Sequence, residues 1–237
     1  MEWRDQIAVV TGGSQGIGKA LVEDLARRGA AVGFCARDRK EVERVAAELH
    51  ANGRKALGFP CDVRDEAQVA AFAERVLGDM GVPTILVNNA GVGRFASVAE
   101  MSLSAWDEVM DTNLRGVFLV TRAFLPAMLG AGRGAVVNIA SLAGRNGIAN
   151  GAAYSASKHG VIGFSKSLML EVRKQGIRVM TVCPGSVNTP FFDTETPFDP
   201  DRGRILNPDD VSKVVLDVLE LPERALVSEL DIRPSNP

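Results

Sequence analysis

Short runs of apolar, largely β-branched residues alternate along the chain with longer stretches in which apolar residues return every three or four positions. IAVV (residues 7–10) has the make-up of a buried strand. Over residues 17–28, Ile17, Leu21, Val22 and Leu25 fall on one helical face, and Gly29 stands where a helix often ends in a left-handed residue. AVGFCA (31–36) and ALGF (56–59) read as strands, separated by a helix over 39–49 that turns Val42, Val45, Ala46 and Leu49 inward. A helix over 66–77 leads to a strand in TILVNN (84–89). The second half keeps the rhythm. A long helix over 104–128, with Ser104 as its N-cap, precedes AVVNIA (135–140). A second long helix over 152–174 precedes IRVMTVCP (177–184). A capped amphipathic helix within 207–221 and a strand in ALVSELDI (225–232) complete the series.

Continuously apolar strands, each followed by a helix, predict a parallel sheet covered on both faces. Right-handed crossovers make that an α/β, doubly wound Rossmann fold. The reading is one domain over residues 1–237, with a seven-stranded, mostly parallel sheet in the order 3-2-1-4-5-6-7. The one long irregular stretch, residues 184–208, is rich in proline and holds Phe191, Phe192 and Phe198. A segment of that length is predicted to be a substrate lid.

Composition narrows the classes of function. The 237 residues are 46% apolar and 24% charged, an ordinary globular mixture. The net charge is −2 and the pI about 5.8, with Lys and Arg scattered, so neither a nucleic acid nor a membrane surface is an expected partner. Cys35, Cys61 and Cys183 show no C-x-x-C spacing and read as buried, reduced thiols. With two histidines in the chain, no metal site is expected. MEWRDQIAVVTGG lacks the regions of a signal peptide, and no run of 18 apolar residues occurs. The expected location is cytoplasmic.

TGGSQGIG (residues 11–18) joins the first strand to the first helix. In that position glycines bring a diphosphate close to backbone N–H groups at the positive end of a helix, so a dinucleotide is the expected ligand. The second strand ends CARDRK. Ala36 takes the place of the acidic residue that would receive the ribose hydroxyls of NAD, and Arg37 can pair with the 2′-phosphate of NADP. NADP(H) is favoured, with NAD(H) as the alternative; Asp38 is the one nearby acid that could reach the ribose.

YSASK (residues 154–158) holds the only tyrosine of the chain, with Lys158 one helical turn away on the same face. A nearby ammonium favours the phenolate, and so does the positive nicotinamide ring of oxidised cofactor, so the two together are expected to lower the tyrosine pKa. With TGGSQGIG, NNAG (88–91), Ser141 and YSASK in this order, the chain resembles the short-chain dehydrogenase/reductase family over about residues 6–210. The resemblance implies that Gly12, Ser14, Gln15, Gly16, Ile17 and Gly18 hold the diphosphate. It places Asp62 and Val63 at the adenine, Asn89, Ala90 and Gly91 along the cofactor channel, and Pro184, Gly185, Val187 and Thr189 at the nicotinamide end. The catalytic tetrad it implies is Asn113, Ser141, Tyr154 and Lys158. Tyr154 exchanges a proton with the carbonyl or alcohol oxygen and Ser141 orients that oxygen. Lys158 holds the nicotinamide ribose and keeps the tyrosine acidic, while Asn113 kinks its helix and positions a relay water.

The implied activity is hydride transfer between nicotinamide and a carbonyl or secondary alcohol. Substrate-lining candidates are Arg94, Ser141, Ala143, Ile148, Tyr154 and Phe191, with Val92 and Leu142 beside them. Arg94 and Arg145 are candidates for an anionic group on the substrate or its carrier. The general likeness is to bacterial beta-ketoacyl-acyl-carrier-protein reductases, which makes a 3-oxoacyl thioester the alternative substrate class. The chain departs from them at its end, SELDIRPSNP, where they carry a glycine-rich tail. A non-catalytic dinucleotide sensor is the competing class. The family pairs into homodimers or homotetramers through its two long helices, where Ala152, Ala156, Gly160 and Gly163 would let a partner approach.

Overall fold

Strand β1 (Ile7–Thr11) runs through the glycine loop into α1 (Gly16–Arg28), and β2 (Ala31–Ala36), α2 (Arg39–Ala51), β3 (Ala56–Pro60), α3 (Glu66–Asp79) and β4 (Ile85–Asn88) follow. The second half holds α4 (Leu103–Met110), a π-helical turn (Asp111–Arg115), α5 (Gly116–Ala131), β5 (Gly134–Ile139), α6 (Ala152–Val172), β6 (Ile177–Pro184), α7 (Pro208–Leu219) and β7 (Glu229–Ile232). This computed structural model describes residues 2–193 and 196–235. The strands form one sheet in the order β3-β2-β1-β4-β5-β6-β7, and every neighbouring pair is parallel.

The register is that of fully buried strands. Val9 lies opposite Gly33 on one side and Leu86 on the other. Helices α1, α2 and α7 cover one face, with Leu21, Leu25, Val42, Val215 and Leu219 buried against Val10, Phe34 and Val87. Helices α3, α5 and α6 cover the other, with Phe72, Phe124 and Leu168 buried against Val9, Leu86 and Val136. Phe72 and Phe124 meet edge to face with ring centres 5.8 Å apart, which ties α3 to α5. Burying each such ring stabilises the fold by roughly 1.5–3 kcal/mol, and Phe124→Ala would cost about 3–5 kcal/mol.

Four details differ from the sequence reading. The helix predicted from residue 104 begins at Leu103, and its cap is Ser102, whose hydroxyl accepts from Ala105 N–H at 3.2 Å. Ser104 lies within the helix, its hydroxyl 3.1 Å from that of Ser102. The long second-half helix runs unbroken from Leu103 to Ala131 and carries the π turn between α4 and α5. Strand β7 starts at Glu229, where pairing with Thr181 of β6 begins; of the four residues before it, Ala225 closes a turn on Pro222 O and Ser228 O accepts from Thr181 N–H at 2.9 Å. Gly160, expected to face a partner, packs inside its own chain: a side chain there would lie 2.7 Å from Leu114.

The 29-residue stretch Leu103–Ala131 contains an 18-residue window of mean hydropathy 1.4, enough by length and composition for a membrane span. Val117, Leu119, Val120, Phe124 and Met128 within it are buried, the pattern of a core helix. Cys35, Cys61 and Cys183 are free and buried. The segment expected to form the lid includes Thr194 and Glu195, which lie outside the described residues. Its base is tied by a parallel bridge between Val187 and Leu206, with Asn188 N–H on Leu206 O at 2.7 Å.

Candidate active site

The sheet order reverses between β1 and β4, and ligands of open α/β sheets bind at the carboxyl ends of strands on either side of such a point. The sequence-predicted residues gather there. The Thr11 hydroxyl accepts the N–H groups of Asn89 at 3.0 Å and Ala90 at 3.1 Å. Asn89 returns its amide to Thr11 O at 2.9 Å and Gly12 O at 3.2 Å. The end of β4 thus fixes the glycine loop at the end of β1.

Two glycines in that loop have no substitute. Gly16 has φ +53°, a left-handed conformation. At Gly18 a Cβ would lie 2.1 Å from Gly12 O, so α1 can sit this close to the loop only without a side chain. The start of α1 also differs from its neighbours. Asp38 caps α2 by accepting from Lys40 N–H at 2.9 Å, and Asp65 caps α3 by accepting from Ala67 N–H at 2.9 Å. No side chain caps α1, and its first turn holds no acid. An uncapped, positively polarised helix start against a glycine loop fits a diphosphate. Ser14 is buried in the loop, Gln15 is exposed, and Thr189 lies against Gly16, 3.1 Å from where a Cβ there would sit. Gly185 N–H donates to Ile232 O at 2.8 Å just past Pro184, which fixes the start of the segment bearing Val187 and Thr189.

At the adenosine end, three residues considered in the sequence already have partners within the chain. Asp38 is the α2 cap, its Oδ1 accepting from the N–H groups of Lys40 and Glu41. Asp62 is engaged by Arg64, which donates its N–H and Nε at 3.0 Å and Nη2 at 2.6 Å. That guanidinium, first by hydrogen bonding, holds the Asp62 carboxyl below its usual range. Val63 is buried in the core under Gly116. Arg94, expected at the substrate, is held by Glu108 instead: its Nε is 2.9 Å from Glu108 Oε2 and its Nη2 is 3.2 Å from Oε1. The same carboxylate lies 3.7 Å from Arg37, whose side chain is 54% exposed. Arg145 is likewise taken, by Glu229 and by Asp231, the latter at 3.2 Å.

The four tetrad positions lie around the ends of β4 and β5 and the start of α6. Ser141 follows β5 and caps a short turn (Leu142–Gly144) by accepting from the N–H of the buried Ala143 at 3.1 Å. Burial raises the Tyr154 phenol above its ordinary value, and the nearby Ser141 hydroxyl partly offsets the rise. Lys158 is 5% exposed and donates to Ile139 O at 3.0 Å, with its ammonium 5.8 Å from the centre of the Tyr154 ring. Burial lowers its pKa to about 8. In the unliganded protein desolvation of the phenol dominates, and the Lys158 ammonium is directed at a carbonyl of β5. The nicotinamide cation, the other charge that favours the phenolate, acts only with cofactor bound.

Asn113, fully buried, sits in the π turn. Its side chain accepts from Val92 N–H at 2.8 Å and donates to Val92 O at 2.9 Å and to the Ser157 hydroxyl at 3.0 Å. Ser157 donates in turn to Tyr154 O at 2.7 Å. The loop after β4 and the start of α6 are thus joined through one amide. Gly91 completes the contact: a Cβ there would lie 3.3 Å from Asn113 Oδ1 and 3.5 Å from Lys158 Nζ.

Of the substrate candidates, Phe191 packs on Tyr154 with ring centres 5.6 Å apart. Ile148 is partly buried and packs beside Gly151, where a Cβ would lie 2.4 Å from it. Three residues escaped the sequence reading. Phe95 lies 5.8 Å from the Tyr154 ring, Glu108 bridges two arginines, and Ser157 links Asn113 to the tyrosine backbone. Only Ser157 carried a signal, its place inside YSASK.

The sequence profile of the short chain dehydrogenase family matches residues 6–199. The putative ketoacyl reductase 1 of the granaticin polyketide synthase of Streptomyces violaceoruber is 44% identical over 187 residues, which is 78% of this chain and 69% of that protein. A metagenomic short-chain oxidoreductase in complex with NADP is 40% identical, with a TM-score of 0.85 over 97% of each chain. A point variant of actinorhodin polyketide ketoreductase with NADPH is 34% identical, with a TM-score of 0.90 over 98% of this chain and 97% of that one.

Proposed function

This chain belongs to the short-chain dehydrogenase family and is an oxidoreductase, and we propose that it interconverts a small carbonyl compound and its secondary alcohol with NADP(H), using Tyr154 as the proton donor and acceptor. The observation that carries this reading is the meeting of three groups at the carboxyl end of β5: Ser141, near enough to favour the Tyr154 phenolate, the Tyr154 phenol itself, and the Lys158 ammonium 5.8 Å from the tyrosine ring. Gly12, Ser14, Gly16, Ile17 and Gly18 would hold the diphosphate, with Asn89, Ala90, Gly91, Val187 and Thr189 along the nicotinamide half. The bound dinucleotide supplies or takes the hydride.

The chain's own residues manage the oxygen and its proton. Tyr154 is protonated at neutral pH, so in the reducing direction it donates to the oxygen as negative charge develops there. The Ser141 hydroxyl hydrogen-bonds the same oxygen and fixes its position. The amine of Lys158, with its pKa brought to about 8, exchanges protons near neutrality and can restore the tyrosine proton. Asn113 holds the loop at Val92 against α6, which keeps the two walls of the cleft in register.

Arg37 supports NADP(H) over NAD(H), and two structural neighbours are complexes with NADP or NADPH. A homodimer or homotetramer through α5 and α6 is supported by Phe118, 45% exposed, and Leu170, 61% exposed, on those helices. The test is NADPH consumption against ketones, aldehydes, diketones and 3-oxoacyl thioesters. Turnover of any of them that disappears in Tyr154→Phe supports the reading, and its absence across the whole panel contradicts it.

A further inference from the structure

We propose that the substrate carbonyl bears an uncharged, planar aromatic group, held beside Tyr154 by Phe95, Phe191 and Phe198. The inference rests on the reading above, in which Ser141 and Tyr154 fix the carbonyl oxygen. Phe95 comes from the loop after β4, and Phe191 and Phe198 from the segment after β6. Phe95 and Phe191 lie 5.8 and 5.6 Å from the Tyr154 ring. Phe95 meets Phe191 at 6.0 Å and 83°, and Phe198 at 5.2 Å and 89°. Two of these rings flank the Tyr154 ring itself, which sets them beside a carbonyl held at its hydroxyl.

Phe95 is the fixed member. The next residue, Ala96, donates its N–H to Asn150 O at 2.8 Å, which pins the loop to the approach to α6. Phe191 lies so close over Gly93 that a Cβ there would be 2.5 Å from its ring. Near-perpendicular rings present edge to face, the arrangement in which aromatic quadrupoles attract. A planar aromatic group that displaces Phe191 from Phe95 keeps that attraction, and a saturated ring of the same size loses it. Charge is disfavoured by the same geometry. Arg94 is bound to Glu108 and Arg145 to Glu229 and Asp231, so neither flanking guanidinium is offered to an anion. A carboxylate set among phenylalanines would lose its hydration without a partner.

The experiment compares kcat/KM for phenyl methyl ketone, cyclohexyl methyl ketone and the para-carboxylate of the phenyl ketone, in the wild-type enzyme and in Phe95→Leu. Leucine keeps the apolar contact and removes the ring. The expected result is a preference of about tenfold for phenyl over cyclohexyl in the wild type, loss of that preference in Phe95→Leu with the cyclohexyl ketone still reduced, and at least about tenfold poorer turnover of the carboxylate. Equal rates for phenyl and cyclohexyl ketones in the wild type, or a preference that survives Phe95→Leu, overturns the inference and leaves the reductase reading intact. Failure of all three ketones in an enzyme that reduces another carbonyl of the wider panel overturns the inference alone, and failure of the whole panel, in assays where NADPH binding is verified, overturns both.

Discussion

Lys158 and Tyr154 share one face of α6, yet the ammonium lies 5.8 Å from the centre of the tyrosine ring and hydrogen-bonds Ile139 O at 3.0 Å. Desolvation therefore raises the phenol's pKa, with nearby Ser141 pulling the other way. Because the chain has a single tyrosine, tyrosinate absorbance reports this group alone. In the unliganded enzyme its titration midpoint should lie above the ordinary value of about 10. Ser141→Ala should raise it further, and saturating NADP⁺ should lower it, because a cationic ring nearby favours phenolate. A midpoint below about 9 without ligand would show that the lysine acidifies the phenol unaided.

The buried lysine makes stability depend on pH in a defined window. Its folded pKa, about 8, lies below the unfolded value of about 10.5. Below pH 8 both states hold the proton and the full cost of burying the ammonium is present. Between about 8 and 10.5 only the unfolded state binds it, so this group's contribution to stability falls as protons are taken up by the unfolded chain at lower pH and rises with pH across the window. Lys158→Met should stabilise the unliganded protein at neutral pH by roughly 1–3 kcal/mol, with the gain shrinking through that window. Urea unfolding of both proteins at several pH values checks it, and a gain that grows with pH would mean that the shift has the opposite sign.

Arg37 and Glu108 should act on cofactor choice in opposite directions. Arg37→Ala removes the proposed phosphate partner, so NADPH should weaken by about tenfold to a hundredfold and NADH hardly change. Glu108→Gln removes a carboxylate 3.7 Å from Arg37, so NADPH should bind about threefold more tightly. The fluorescence of bound reduced dinucleotide gives both constants. Equal effects of Arg37→Ala on the two cofactors would move the phosphate elsewhere.

Asn113→Leu leaves Val92 N–H and O and the Ser157 hydroxyl without their buried partner. A loss of about 1–3 kcal/mol for each unsatisfied group is expected, visible as a Tm lower by several degrees. An unchanged Tm would show that these groups find other partners.

The sheet was legible because its strands are buried on both faces, so apolar runs mark them directly and the helices between them dictate parallel pairing. The extent of β7 was not, since residues 225–228 have strand-like composition but the pairing with Thr181 begins at Glu229. The positions around the site were legible because glycine, serine, tyrosine and lysine stand in local motifs. Their partners were not. Glu108 reaches Arg94 across 14 residues, and Lys158 finds Ile139 O across 19. Phe95 meets Tyr154 only after two loops are stitched together at Asn150. Such contacts depend on how elements pack, and no spacing in the chain encodes them.

The most direct test of the account is Tyr154→Phe, a change that removes one hydroxyl and keeps the ring among Phe95 and Phe191. With a ketone that the wild type reduces, kcat should fall by about a hundredfold to ten-thousandfold, while the dissociation constant for NADPH stays within about threefold of the wild type. A Tyr154→Phe enzyme that retains kcat within about tenfold would contradict the central claim, because the proton would then come from another group.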